Sequence, residues 1–121
     1  MKLFLSLFFV LSLNLYAVNF FGMTSKNWKS IDEVAKLTYM MGVFDGLTFA
    51  EWNVHNTTLN VKVDITEYIN GVDKLTEDYR NANIPVPFLL RVITLELNGE
   101  TKETVEEALR LYRIQFSKYG S

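Results

Sequence analysis

Apolar residues recur at three- and four-residue steps in four successive stretches of this chain, and helix start or stop signals punctuate them. The first stretch follows Ser30-Ile31-Asp32-Glu33, a capping box in which hydroxyl and carboxylate can each satisfy an unpaired backbone donor. Val34, Leu37, Met41, Phe44 and Trp52 then keep to one helical face out to about residue 52. Residues 53 to 63 lose the period and read as a loop, with room for a short extended piece at Val61 and Val63.

A second start lies at Asp64 with Glu67, followed by the stripe Tyr68, Val72, Leu75, Tyr79 and an end near Arg80. The segment NANIPVP is a turn, because Pro85 and Pro87 cannot donate hydrogen bonds and bias their predecessors away from helix, yet suit a first helical turn. From Val86 or Pro87 the chain runs to Asn98-Gly99, a C-terminal stop. Val92, Ile93 and Thr94 would also suit a strand, but Arg91, Thr94 and Asn98 share one helical face and the remainder is apolar, which favours a largely buried helix. Thr104 with Glu107 repeats the capping box, and Val105, Leu109, Tyr112, Phe116 and Tyr119 carry a stripe to the C-terminus. Four helices with short connections imply an all-α domain, a compact bundle with each stripe turned inward.

The N-terminal stretch MKLFLSLFFVLSLNLYA has a basic start at Lys2, an apolar run from Leu3 to Leu13 and a small residue at Ala17, the grammar of a secretory signal peptide. Reading on to Phe21 gives a segment just long enough for an uncleaved anchor, but the apolar run itself is too short for a standard span. The expected organisation is therefore a signal peptide over residues 1–17 and a single helical domain over 18–121, periplasmic or secreted, with no membrane span in the mature form. The segment VNFFGMTSKNW is aromatic enough to pack across the bundle. Export would permit disulfides, but the chain has no cysteine, so core packing must suffice.

A formal net charge of -2, with no basic stripe carrying interleaved aromatics, argues against nucleic acid as a partner. A lone histidine, His55, and no cysteine leave no transition-metal cluster, and no cofactor fingerprint occurs. At about 100° per residue, Asp45 falls in the sector of Val34, Leu37 and Met41, and Glu96 falls between Val92 and Leu89. Carboxylates aimed at a core need a cation, a hydrogen-bond network or a proton, and Arg80, Arg91, Arg110 and Arg113 are the available guanidiniums. Asp45 and Glu96 are thus either an acid/base pair of a hydrolytic or ligand-binding site, or part of a structural network with Arg80 and tyrosine hydroxyls. Gly42 and Gly46 each cost ~1 kcal/mol relative to alanine in a helix interior, so close approach of a second element, or a local kink, is expected there. Trp28, Trp52 and the loop carrying His55 are candidates for a partner-facing patch. Asn56-Thr57-Thr58 matches a glycosylation sequon.

The signal-peptide pattern followed by Tyr39-x-x-Gly42-x-x-Asp45-Gly46 on a first helix resembles the Tai-type immunity proteins. These are small exported helical proteins of Gram-negative bacteria that block peptidoglycan amidase effectors of type VI secretion. The resemblance covers about a tenth of the chain, which lacks the cysteines and the Cys-x-Pro segment common in that family. It implies a protein that works by binding another protein, as an inhibitor or immunity factor. Read from the residues themselves, the candidate binding residues are Asp45, Arg80, Glu96, Trp52 and His55. The stretch YRNANIPVPFLL onward looks more like short exported bacterial proteins of unassigned activity.

Overall fold

A computed structural model describes residues 23–55 and 64–118. The signal-peptide, sequon and Tyr119 expectations lie outside the described residues, as do Val61 and Val63. The described residues are all-helical, with no strand: α1 (Ser25–Trp28), α2 (Glu33–His55), α3 (Ile65–Thr76), a 3₁₀ turn at Tyr79–Asn81, α4 (Val86–Leu97) and α5 (Lys102–Gln115). None of these helices is long and apolar enough to cross a membrane.

Helix α3 is the hub. It packs against α1, α2 and α4, and α4 in turn carries α5. Tyr68, Ile69 and Val72 of α3, Leu89, Leu90, Val92 and Ile93 of α4, and Val105 and Leu109 of α5 form most of the core. Phe116, just beyond α5, closes it through a ring contact with Phe88 at 4.8 Å. The apolar stripes expected for α3, α4 and α5 are therefore the buried ones, except that Tyr79 lies past the end of α3 and is exposed.

The chain ends of the helices show where local chemistry was legible. Asp64 caps α3 through Thr66 N–H, at 3.0 Å. Pro85 caps α4 with extended backbone, and Gly99 terminates it at φ 78, a left-handed conformation that an L side chain rarely adopts. The Glu100 N–H reaches Leu95 O and the Gly99 N–H reaches Glu96 O, which is the paired closure expected of a glycine stop. Two starts differ from expectation by one short step each. Asp32, not Ser30, accepts from the first turn of α2 through Ala35 N–H at 2.8 Å, while the Ser30 hydroxyl closes the preceding turn on Asn27 O. Thr101, not Thr104, caps α5. Each cap sits two or three residues from an equally plausible hydroxyl or carboxylate.

The short helix α1 begins with the reciprocal Thr24–Asn27 cap. It is stitched to the segment before α4: Ser25 N–H donates to Ile84 O, Lys26 N–H to Ala82 O, and Val86 N–H to Met23 O. The aromatic segment before the long helix thus packs across the bundle from Met23 onward, and Trp28 is fully buried. That corrects its expected place in a partner-facing patch. The Trp28 indole N–H donates to Asp73 Oδ1 at 2.7 Å and its ring meets Tyr39 edge-on at 6.0 Å, so it is a core anchor.

Candidate functional site

Helix α2 has two apolar stripes half a turn apart, and the fold buries the one that contains a lysine. Lys36, Tyr39, Met40, Val43 and Phe44 face the bundle, with Met40 fully buried and Phe44 edge-on to Tyr68 at 5.0 Å. Lys36 is only 9% exposed. Its ammonium is held by Asp73 at 3.0 Å and Glu33 at 3.2 Å, and it stands 5.6 Å from the centre of the Trp28 ring. Hydrogen bonding to Asp73, more than to Glu33, holds the Lys36 ammonium above its usual pKa despite burial.

Of the stripe expected to face the core, Phe44 does so, but Val34, Leu37, Met41 and Trp52 face outward instead. Val34 is 74% exposed, Met41 51% and Trp52 55%, with Leu37 and Phe49 exposed beside them. Asp45 does share this sector, as its spacing requires, but the sector is solvent-facing and the carboxylate is exposed. Periodicity finds stripes and does not rank them. A lysine on a stripe argues against burial of that stripe unless acceptors meet it, and here Asp73 and Glu33 do. Toward its C-terminal end α2 exposes apolar side chains on both sides, Leu47 and Val54 as well as Phe49 and Trp52. At 1.5 Å per residue α2 is about 34 Å long against about 18 Å for α3, so it outruns the helix it packs on.

Gly42 and Gly46 are corrected in the same way. A Cβ built at either position meets nothing within 4 Å, and no second described element approaches there. The close crossing is at Gly71 of α3, where a Cβ would lie 2.8 Å from Cγ1 and Cδ1 of Ile93. The signal was available in the sequence. Gly71 lies on the Tyr68–Val72–Leu75 stripe, whereas Gly42 and Gly46 fall beside both stripes of α2.

Glu96 is exposed in the last turn of α4, where the direction of Val92 and Leu89 continues past the end of the core. It lines a cleft of about 500 Å³ between α3, α4, α5 and the 3₁₀ turn, together with Lys74, Asp78, Asn81, Lys102 and Arg113. Asp45 is not among the residues of that cleft, so the two carboxylates are not brought together there. Arg80 reaches neither of them. Its Nη2 lies 2.6 Å from Asp78 Oδ2, and its Nε donates to both Asp78 oxygens. Arg113 donates from Nε to Asn81 Oδ1 at 2.8 Å, and the Asn81 amide donates to Leu75 O at 2.7 Å. Arg110 is paired with Glu107 along α5. The polar network beside that cleft therefore centres on Asp78, whose importance rests on a local turn that no helical period reveals. His55 is exposed at the end of α2 and lies 3.1 Å from Glu51. Among the described residues no cluster of His, Asp and Glu is placed to hold a metal ion.

The hydrogen bonds and charge of Arg80 lower the Asp78 carboxyl from 3.8 to about 2. A carboxyl whose pKa falls on folding adds stability above its ordinary value and loses it as the pH drops through the folded one. Asp78 also caps the 3₁₀ turn through Arg80 N–H. Asp78→Asn keeps an oxygen able to cap the turn but loses the charge that holds Arg80, so it is expected to cost about 1 kcal/mol at pH 7, the scale of a partly exposed ion pair, and to flatten the stability profile between about pH 4 and 2. Urea unfolding across that pH range measures both effects.

No protein-family model matches the chain, and neither a curated protein nor a solved structure matches it. The outer face of α2, an apolar stripe with one carboxylate in its middle, is the feature of the described surface that the fold itself leaves without a use.

Proposed function

We propose that this protein acts by binding another protein through the outer face of α2, with Leu37, Met41 and Trp52 as anchors and Asp45 and His55 at polar positions of the same helix. The observation that carries this reading is the concentration of exposed large apolar side chains on one helix: seven on α2 and four on the rest of the described chain. Contiguous apolar surface that a fold leaves in water is characteristic of an interaction site, and a buried aromatic is a frequent energetic centre of one. The narrower form of the proposal, an exported inhibitor or immunity factor against a cell-wall-degrading effector, rests on the Tyr-x-x-Gly-x-x-Asp-Gly resemblance alone. Glu96 lines the separate polar cleft and Arg80 is paired with Asp78 beside it, so both are secondary in this reading.

The test uses the full chain as bait in periplasmic extract, alongside Leu37→Lys/Met41→Lys and Trp52→Ala variants. A stoichiometric partner should bind wild type and lose at least about 2 kcal/mol with either variant, as anchor residues do. Because all three positions are exposed, unfolding free energy should move by no more than about 0.5 kcal/mol. Absence of a stoichiometric partner, together with no protection against a co-expressed wall-degrading toxin, would count against both forms of the proposal.

A further inference from the structure

On the inner side of the overhanging half of α2 lies an apolar groove of about 360 Å³. Its size is within the range of small-molecule sites, about 300 to 1,000 Å³. Phe44 and Leu47 of α2 form one wall, Pro87 and Leu90 of α4 the other, and Tyr68 and Thr94 lie between them. Two features decide what such a groove accepts.

The first is the state of its hydroxyls. The Thr94 hydroxyl donates to Leu90 O at 2.8 Å, so in its 3.0 Å contact with Tyr68 the tyrosine must be the donor. Both protons are committed within the fold. Neither hydroxyl has one to offer a ligand, and what lies against them gains chiefly from apolar contact.

The second is Arg91, the single charged residue lining the groove. Among the described residues it makes no ion pair or hydrogen bond, unlike Arg80, Arg110 and Arg113, each of which is held by a carboxylate. Asp45 is next to Phe44 in sequence but projects from the opposite side of α2 and does not line the groove. The one charge on the lining is therefore positive, and a guanidinium matches a carboxylate through two parallel hydrogen bonds.

We infer that this groove binds a free, single-chain amphiphile with an anionic carboxylate head, the tail lying between α2 and α4 and the head on Arg91. The site is separate from the outer face of α2 and stands whether or not that face docks a protein.

Calorimetric titration of the full chain with decanoate tests it, with decan-1-ol as the uncharged comparison. Decanoate should bind saturably at one site, and Arg91→Gln should weaken it by about tenfold, the loss of one charge-assisted pair, while leaving decan-1-ol unaffected. Leu47→Asp, at an exposed position on the groove wall, should abolish decanoate binding with the helical circular dichroism unchanged. No saturable binding, equal affinity for the acid and the alcohol, or decanoate affinity unchanged by Arg91→Gln would each overturn the assignment.

Discussion

Asp73→Ala is expected to destabilise the fold by about 3 kcal/mol, the low end of the range for breaking a buried ion pair, because Asp73 keeps a partly exposed edge. One oxygen of Asp73 accepts from both the Trp28 indole and the Lys36 ammonium. Its removal leaves a buried N–H unpaired and strands a desolvated ammonium on Glu33, whose side chain is largely in solvent. Lys36→Met should cost much less, about 1 kcal/mol, since it removes the charge as well as its bond and leaves Asp73 bound to the indole. The double variant should be more stable than the sum of the two losses predicts, because the partners act as one unit. Alkaline titration gives an independent reading. Lys36 has a folded pKa raised above 10.5, first through its hydrogen bond to Asp73. The stability it contributes is complete below that value and is lost as the pH rises through the folded pKa, so wild type should weaken there and Asp73→Ala should lose that dependence. Chemical unfolding at neutral and alkaline pH, on all four chains, measures each effect.

Glycine substitutions should separate with opposite signs. Gly71→Ala places a methyl 2.8 Å from two carbons of Ile93, a buried side chain that cannot swing away, and should cost about 1 to 3 kcal/mol. Gly42→Ala and Gly46→Ala place the same methyl in open space on a helix and should each stabilise the isolated chain by about 0.5 to 1 kcal/mol. Thermal unfolding of the three variants decides between the crossing seen at α3 and one at α2. If the proposed partner approaches closely over Gly42 and Gly46, those two substitutions should weaken its binding while they stabilise the free protein.

These contrasts show what the sequence could and could not reveal. For α3 and α5 one apolar stripe stands against a polar remainder, and for α4 one polar stripe stands against an apolar remainder, so periodicity finds the core directly: Tyr68 and Val72, Leu89 and Val92, Val105 and Leu109 are all buried. Helix α2 is apolar on both sides, so the choice of face depends on which partner can hold Lys36, and that partner, Asp73, is 37 residues away. Once the wrong stripe is taken as buried, Asp45 becomes a core carboxylate and Gly42 and Gly46 become a crossing. Glu96 fails for a different reason, since its direction is that of the core but its turn lies beyond the core's end. Trp52 is exposed, as its place in a partner-facing patch required and its place on the inward stripe did not, while His55 is exposed on the last turn of α2 and not in the loop expected from residue 53. Trp28 was misplaced because a four-residue helix leaves too little pattern to read.

The orientation of α2 underlies the proposed function, and the absence of any native cysteine makes it directly measurable. Single substitutions Leu37→Cys, Met41→Cys, Asp45→Cys and Met40→Cys in the full chain can be labelled with a thiol reagent without background. The first three should react at the rate of an unstructured thiol, and the fourth only through unfolding of the core. Protection at positions 37, 41 and 45 in the isolated protein, with position 40 reactive, would contradict the account, because the face assigned to a partner would then be the one the fold keeps for itself.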